Sequence, residues 1–290
     1  MKETIKVRFM ERHAHLLFNE DEGKKLGPTR EVTLDMNSPV VSKIGTITKY
    51  LWENEHHIFF TCWDIRRSYT SKELENEKYF CMNIRKLIEA DGAEYGTGYD
   101  ETAACPICGA NRKQISVLKM GKGRYIKNRD VAITLGGDLL VSKRFVEFVH
   151  THSLKGVEFK PVILGKTVSE DCFQMFFTST CDLSTKTKFG YNPFGVYVMR
   201  DGEHYYCGDH DPYTCTNGDN MGLNIISETH IQHSSLVEEA DFFMSRQTYG
   251  YKMGLYRPWH LFFCSQRAMR LMTQQSIRGF NFEVAHIDED

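Results

Sequence analysis

The chain has 290 residues with 36 Lys and Arg against 38 Asp and Glu, a formal net charge of -2, and 41% hydrophobic residues. This balance leaves no overall basic field for nucleic acid, and there is no run of about 18 apolar residues that could form a membrane-spanning helix. The first residues carry no apolar signal-peptide core, so we expect a cytoplasmic globular protein without a membrane partner. The length fits two domains or one large one.

Residues 1–95 are predicted to form a β-rich N-terminal region with one helix. Short stretches rich in β-branched and aromatic residues, at 5–9, 44–52 and 57–63, predict strands. Ser71 is a candidate N-cap for a helix that we expect to continue to about residue 90, where Asp91-Gly92 stops it. The region also holds a group of histidines, which is typical of a surface: His13, His15, His56 and His57.

The next feature along the chain is Cys105-Pro106-Ile107-Cys108-Gly109, which has the form of a zinc knuckle. Two thiolates separated by two residues can bind one tetrahedral ion, and the glycine lets the backbone turn so that amide groups face the sulfurs. One knuckle supplies two of four ligands. The chain has nine cysteines, an odd number, which without a secretory signal favours free thiols or metal ligands over disulfides.

The second pair of ligands is predicted farther along, in the segment HYYCGDHDPYTC. The candidates are Cys207 with Cys215, or His210 in place of one of them. Their spacing is wider than that of an ordinary knuckle. We therefore predict a structural zinc held by Cys105, Cys108, Cys207 and Cys215, with His210 as the alternative fourth ligand.

The last two thirds of the chain contain a repeated segment. The sequence LLVSKRFVEFVHTHSLKGVEFKPV at 139–162 aligns without a gap with FFCSQRAMRLMTQQSIRGFNFEVA at 262–285. Each copy predicts a strand, a helix capped by Ser142 or Ser265, a left-handed turn at Gly156 or Gly279, and a second strand. An Asp precedes each copy, at slightly different distances.

The fold prediction follows from this repeat. We expect an α+β protein with two related strand-helix-strand modules, arisen by internal duplication, a β-rich N-terminal region and a zinc knuckle. The predicted domains are residues 1–95, then 96–170 with the knuckle and the first repeat, and 171–290 with the second repeat.

Catalytic patterns do not stand out in this sequence. We find no GxSxG, no Walker motif and no HExxH or related zinc-hydrolase pattern, so the chain is not predicted to be an enzyme. A metallohydrolase that uses Asp209 and His210 remains the weakest alternative. A zinc-knuckle module that binds nucleic acid is the stronger one, because basic residues cluster between Lys119 and Arg129.

The order of these features resembles that of the bacterial double-CxxCG motif proteins. CPICG comes first, followed by the first repeat, the second Cys-Gly at Cys207-Gly208, and the second repeat. The chain departs from that family's pattern because its second motif is Cys207-Gly208 with Cys215 downstream. The resemblance covers about residues 105–287. It implies an immunity protein of interbacterial competition that binds a cognate protein toxin in the cytoplasm without catalysis and carries zinc as a structural cofactor. It leaves the oligomeric state open. The candidate surface anchors for a toxin precede the second repeat: Tyr249, Tyr251, Tyr256 and Trp259.

Overall fold

A computed structural model describes residues 1–123, 125–190, 192–194, 198–200, 203–205, 214–215, 219, 224–237, 239–250 and 252–289 of the chain. The helices are α1 (Glu11–Ala14), α2 (Pro39–Glu55), α3 (Ser71–Asn76), α4 (Lys143–Thr151) and α5 (Gln266–Gln274), with 3-10 turns at Gly92–Tyr95, Glu101–Ala103 and His233–Ser235. The strands are β1 (Lys2–Met10), β2 (Lys24–Leu26), β3 (Thr29–Asp35), β4 (Phe60–Ser68), β5 (Tyr79–Ile84), β6 (Leu87–Ile88), β7 (Tyr99–Asp100), β8 (Lys113–Gln114), β9 (Leu118–Met120), β10 (Val131–Thr134), β11 (Leu139–Ser142), β12 (Val157–Leu164), β13 (Thr167–Phe177), β14 (Thr180–Cys181), β15 (Phe189–Gly190), β16 (Val198–Arg200), β17 (Glu203–Tyr205), β18 (Asn224–Ile225), β19 (Thr229–Gln232), β20 (Phe242–Tyr249), β21 (Trp259–Ser265) and β22 (Phe280–Asp288).

The fold is mixed α+β and rich in strands, as the sequence predicts. The chain forms two compact units: a first unit of Met1–Leu74 with Gly190–Asp211, and a second unit of Glu75–Phe189 with Pro212–Asp290. Within the described residues, every helix is too short or too polar to cross a membrane.

The first unit is built on a sheet in the order β2-β3-β1-β4, all antiparallel. Alternate residues of β1 point into its core, where Ile5, Val7 and Phe9 are fully buried. Helix α2 adds Ile44 and Leu51 to the same core. This hydrophobic core gives the unit its stability, because burial of apolar side chains is the main driving force of folding.

The strand predicted at residues 44–52 is wrong, because this segment lies inside helix α2. Ser38 caps the helix by accepting a hydrogen bond from the N–H of Val40 at 3.3 Å, and Pro39 occupies the first helical position. Ile44, Thr48 and Leu51 are buried at helical spacing. The β-branched content that favours a strand is therefore overridden by the cap and by packing.

The second unit contains two six-stranded sheets with matching arrangements. Sheet A has the order β6-β10-β11-β13-β12-β9, and sheet B has the order β14-β20-β21-β5-β22-β19. In each sheet the first pair and the last pair of strands are parallel and the three central pairings are antiparallel. The two sheets therefore agree strand by strand in order and direction.

The helix predicted from Ser71 to about residue 90 is wrong beyond Asn76. Residues Tyr79–Ile84 form β5, which pairs with both β21 and β22. In sheet A the equivalent place is taken by β13, which follows β12 in the chain. Sheet B thus receives its central strand from a segment far upstream, and the N-terminal region holds more than the one predicted helix.

The predicted strand, helix and strand of each repeated segment are present as β11-α4-β12 and β21-α5-β22. Ser142 accepts a hydrogen bond from the N–H of Phe145, and Ser265 accepts one from the N–H of Ala268, both at 3.1 Å. Gly156 and Gly279 have positive φ of +102° and +128° but lie directly before the second strand; the left-handed residues that leave the helices are Ser153 and Ser276, with φ of 48° and 52°.

Two buried aspartates join the segments. Asp130 accepts hydrogen bonds from Ser142 Oγ at 2.8 Å and from the N–H of Arg278 at 2.7 Å. Asp241 accepts equivalent bonds from Ser265 Oγ at 2.9 Å and from the N–H of Lys155 at 3.1 Å. Each carboxylate therefore fixes the start of its own helix and the turn of the other segment.

Candidate metal centre

The CPICG segment forms a tight loop in the second unit. The N–H of Cys105 donates to the carbonyl of Ala110, and the N–H of Gly109 donates to the carbonyl of Cys105, both at 2.8 Å. Gly109 has φ of +76°, so a residue without a side chain suits this turn. The backbone N–H groups of Ile107 and Cys108 favour the thiolate of Cys105, and that of Ala110 favours the thiolate of Cys108.

The side chain of Cys215 contacts the CPICG loop. Its Sγ lies 3.9 Å from Sγ of Cys105 and 3.8 Å from Sγ of Cys108. All three cysteines are buried, with 4%, 0% and 5% exposure for Cys105, Cys108 and Cys215. A tetrahedral zinc with bonds of about 2.3 Å holds its sulfurs about 3.8 Å apart. The donor set and its spacing therefore fit a metal ion of this kind.

Asp219 is a fourth polar group at the cluster. Its Oδ2 lies 3.7 Å from Sγ of Cys108 and 3.7 Å from Sγ of Cys215. Its Oδ1 accepts from the N–H of Thr248 in β20 at 3.1 Å, and its carbonyl accepts from the N–H of Cys215 at 2.9 Å. The carboxylate is buried and is held in place by bonds to Cys215 and to sheet B, so it lies beside two of the three thiols.

The surroundings affect the Cys105 and Cys108 thiols in opposite directions. Burial favours the neutral thiol of Cys105, but the N–H groups of Cys108 and Ile107 with the neighbouring thiols outweigh it and lower the pKa of Cys105. Burial dominates at Cys108 and raises its pKa. One thiol of the knuckle is thus the first to ionise, and a bound cation would favour the thiolate form of the others.

The structure brings together three of the predicted ligands: Cys105, Cys108 and Cys215. Cys207 and His210 lie outside the described residues. Asp219 is not among the predicted ligands, although the spacing Cys215-x-x-x-Asp219 in a Gly- and Asn-rich segment is the signal that could have indicated it. The remaining described cysteines form no disulfide and lie outside the cluster: Cys62, Cys81, Cys172, Cys181 and Cys264.

A cavity of about 250 Å³ lies beside the knuckle, lined in part by Gly109, Asn111 and Trp259. Its polar wall includes Tyr99, whose hydroxyl donates to Oδ2 of Asp138 at 2.9 Å. Burial raises the pKa of Asp138, and burial together with the Asp138 carboxylate raises the pKa of Tyr99. This wall is therefore a hydrogen-bonded network of partly buried polar side chains.

The predicted surface anchors differ in exposure. Tyr256 is exposed, whereas Tyr249 and Trp259 are half-buried. The indole N–H of Trp259 donates to the carbonyl of Leu135 at 3.2 Å, which ties it to sheet A. Tyr251 lies outside the described residues. Of the four, Tyr256 is the side chain that the described structure presents to solvent.

No protein-family model matches this chain, and no curated protein matches it. The site itself is a closed cluster of buried thiols next to a buried carboxylate. Such a donor set is suited to holding a metal ion that ties loops together, because a catalytic metal needs an open position for water or substrate.

Proposed function

We propose that Cys105, Cys108 and Cys215 hold one structural zinc ion, with Asp219 as the fourth ligand. The sulfur spacing, the burial of all four groups and the N–H groups that favour the thiolate forms of the knuckle cysteines support this assignment. When bound, zinc supplies a stable link between the 105–110 loop and the segment that carries Cys215. Sulfur ligands favour zinc over magnesium or calcium, which prefer oxygen.

The two sheets of the second unit are, in this proposal, two copies of one module. Their agreement in strand order and direction, the equivalent serine caps and the equivalent Asp130 and Asp241 bonds support an internal duplication. Each copy contributes the turn that the other copy's aspartate binds. Such reciprocal contacts explain why two modules would be kept in one chain.

We propose that the whole protein is a non-catalytic immunity protein that binds and neutralises a cognate protein toxin in the bacterial cytoplasm. The closed thiol cluster is the observation that carries this proposal, because it favours a metal that maintains a fold over one that performs chemistry. The identity of the partner comes from the resemblance to double-CxxCG proteins. Neutralisation then requires a complementary outer surface, with a few aromatic and charged anchors.

The metal assignment is tested with the cobalt-substituted protein, because a thiolate-bound Co²⁺ shows sulfur-to-metal charge transfer in the near ultraviolet. We expect this band in the native chain, and its loss in Cys105→Ser and Cys215→Ser. Cys172→Ser is the matched control, because Cys172 is a buried thiol in the core of sheet A, and it should keep the band. An Asp219→Asn variant should shift the spectrum and bind more weakly. A native chain without the band would overturn the assignment.

The partner assignment is tested by co-expressing the chain with the toxic protein encoded beside its gene. We expect restored growth and a complex that co-purifies. Growth that is not restored, with no complex, would overturn the immunity role. A filter-binding assay at low salt distinguishes the alternative, because a nucleic-acid-binding module would bind with a steep dependence on salt concentration.

A further inference from the structure

The histidines of the first unit include a compact group at one end of helix α2. One ligand atom each from His13, Glu55 and His57 lie within 4.8 Å of one another. The rings of His13 and His57 have centroids 5.0 Å apart, and Nδ1 of His57 lies 3.0 Å from Oε2 of Glu55. These residues come from three places in the chain: α1, the last residue of α2, and the segment after it.

Helix termination brings Glu55 and His57 together. His56 follows the helix in the left-handed conformation, with φ of 53°. The N–H groups of His56 and His57 turn back to the carbonyls of Trp52 and Leu51, both at 3.1 Å. The reversal places His57 beside Glu55 instead of beyond it.

The position of His13 follows from the sheet. Helix α1 begins where β1 ends, and the N–H of Met10 donates to the carbonyl of Phe59 at 2.8 Å. This bond joins the end of β1 to the chain just after His57. The two histidines are thus held side by side by backbone contacts, so the group does not depend on flexible side chains alone.

His13 carries a second, independent indication. The residue is 8% exposed, and its Nε2 is buried without a hydrogen-bond partner among the described residues. A buried polar atom normally has a partner, from the protein or from something bound to it. Glu55 and His57 are partly exposed, with side-chain exposures of 40% and 37%, so the group is open to solvent on their side.

We propose that His13, Glu55 and His57 form a second metal site, for a divalent transition-metal ion of the zinc class. Two imidazoles and one carboxylate are ligands that zinc takes, and they leave a fourth position for water. A tetrahedral ion with bonds of about 2.1 Å holds its ligand atoms about 3.4 Å apart, which the partly exposed Glu55 and His57 reach by rotating. Metal binding through Nε2 gives His13 the partner that it lacks. The site shares no residue with the thiol cluster and does not rest on it.

The test uses the full chain with Zn²⁺ counted by elemental analysis and Co²⁺ as the spectroscopic probe. We expect two ions per native chain, of which one gives the sulfur-to-metal band. His57→Ala and Glu55→Gln should weaken the binding of the second ion at least tenfold and leave the sulfur-to-metal band unchanged. His15→Ala is the matched control, because His15 is an exposed histidine that follows α1 directly. This variant should keep both ions.

Each outcome decides the proposal. Two ions in the native chain, with one lost in His57→Ala and Glu55→Gln, support it. A single ion that is lost in Cys105→Ser but kept in His57→Ala overturns it and leaves the thiol site standing. A single ion that is lost in His57→Ala and shows no sulfur-to-metal band supports it and removes the thiol site. No bound ion overturns both.

Discussion

The backbone of Gly156 lies directly against the carbonyl group of Phe242, so close that a Cβ atom on Gly156 would overlap the Phe242 carbonyl oxygen. The turn joins the first repeated segment to sheet B, since the carbonyl of Lys155 accepts from the N–H groups of Asp241 at 3.0 Å and Phe242 at 2.9 Å. Gly156 also has a left-handed φ of +102°. Two independent constraints therefore require glycine at this turn.

Replacing Gly156 with Ala should destabilise the protein by about 3 kcal/mol or more, because the added methyl group combines left-handed strain with displaced backbone. Urea unfolding measures this change. Gly165→Ala is the matched control: Gly165 has φ of +68°, but the nearest atom to its Cβ would be Lys122 Cβ at 3.5 Å. Gly165→Ala should lower the free energy of unfolding by only about 1–2 kcal/mol. Equal losses in the two variants would show that the contact with Phe242 is unimportant.

Asp130 and Asp241 should each contribute to stability through the backbone bonds that they accept. Both are buried, with 5% and 6% exposure, and hydrogen bonds to a charged group contribute about 1.5–3 kcal/mol. Asp130→Asn and Asp241→Asn place an amide where N–H donors converge, so each should cost about 2 kcal/mol in urea unfolding.

The arginine partners of these aspartates should matter less. Arg144 and Arg267 have side-chain exposures of 53% and 57%, and water screens the charge of a half-exposed guanidinium, so these ion pairs contribute little although their aspartates are buried. Arg144→Met should therefore cost less than Asp130→Asn. Asp171→Asn, at an exposed position, should change stability by no more than about 0.5 kcal/mol. A larger loss from Arg144→Met than from Asp130→Asn would contradict the importance of the backbone bonds.

Local signals in the sequence predict much of the repeated segment. Ser142 marks the start of α4 because the cap depends on nearby residues alone, and Gly156 marks the turn that leads into β12. The strand β5 is different. Tyr79–Ile84 becomes a strand by pairing with β21 and β22, almost two hundred residues downstream, and a short apolar run cannot distinguish this outcome from a helix.

The thiol cluster shows the same division. Cys105 and Cys108 follow from a local motif, and Cys215 follows from the need for further ligands. Asp219 does not, because its approach to the thiols depends on the hydrogen bond from Thr248 in the distant strand β20. The sequence pattern of the histidine group is typical of a surface. Two of its members, His15 and His56, are exposed, and His57 is half-buried, but His13 is buried by the packing of α1.

A buried ion pair in the second unit should be among its most sensitive points. Nη2 of Arg112 lies 2.8 Å from Oδ2 of Asp91, and the side chains are 6% and 1% exposed. The guanidinium also stacks on Tyr99, with Cζ 3.7 Å from the ring centroid. Arg112→Met leaves the Asp91 charge buried without this partner and should cost about 3–5 kcal/mol.

The control for this pair is Arg66→Met. Arg66 contacts Asp64 at 2.7 Å, but the side chains are 63% and 51% exposed, so the loss should stay below about 1 kcal/mol. Gly136→Ala gives an independent test, because its Cβ would overlap Nη2 of Arg112 and crowd Asp91. Thermal unfolding that is indifferent to both Arg112→Met and Gly136→Ala would rule out a stabilising role for the pair.

The pair of His286 and Glu228 should make stability depend on pH. Nε2 of His286 lies 3.1 Å from Oε2 of Glu228, and the hydrogen bond to this carboxylate raises the pKa of His286 above its ordinary value of 6.5. The folded state therefore binds the proton more tightly than the unfolded state. The resulting stabilisation is fully present below pH 6.5 and is lost as the pH rises through the raised pKa.

Glu228→Gln should lower the melting temperature at about pH 5.5 and have a smaller effect at a pH high enough to deprotonate the imidazole. The neighbouring His230, whose ring centroid is 4.8 Å from that of His286, keeps its partner Asp288 at 3.3 Å in either protein. His233→Gln, at an exposed histidine, is the matched control, because it removes an imidazole that lies outside this pair. A difference in melting temperature that grows toward high pH would contradict a raised pKa of His286 in the folded state.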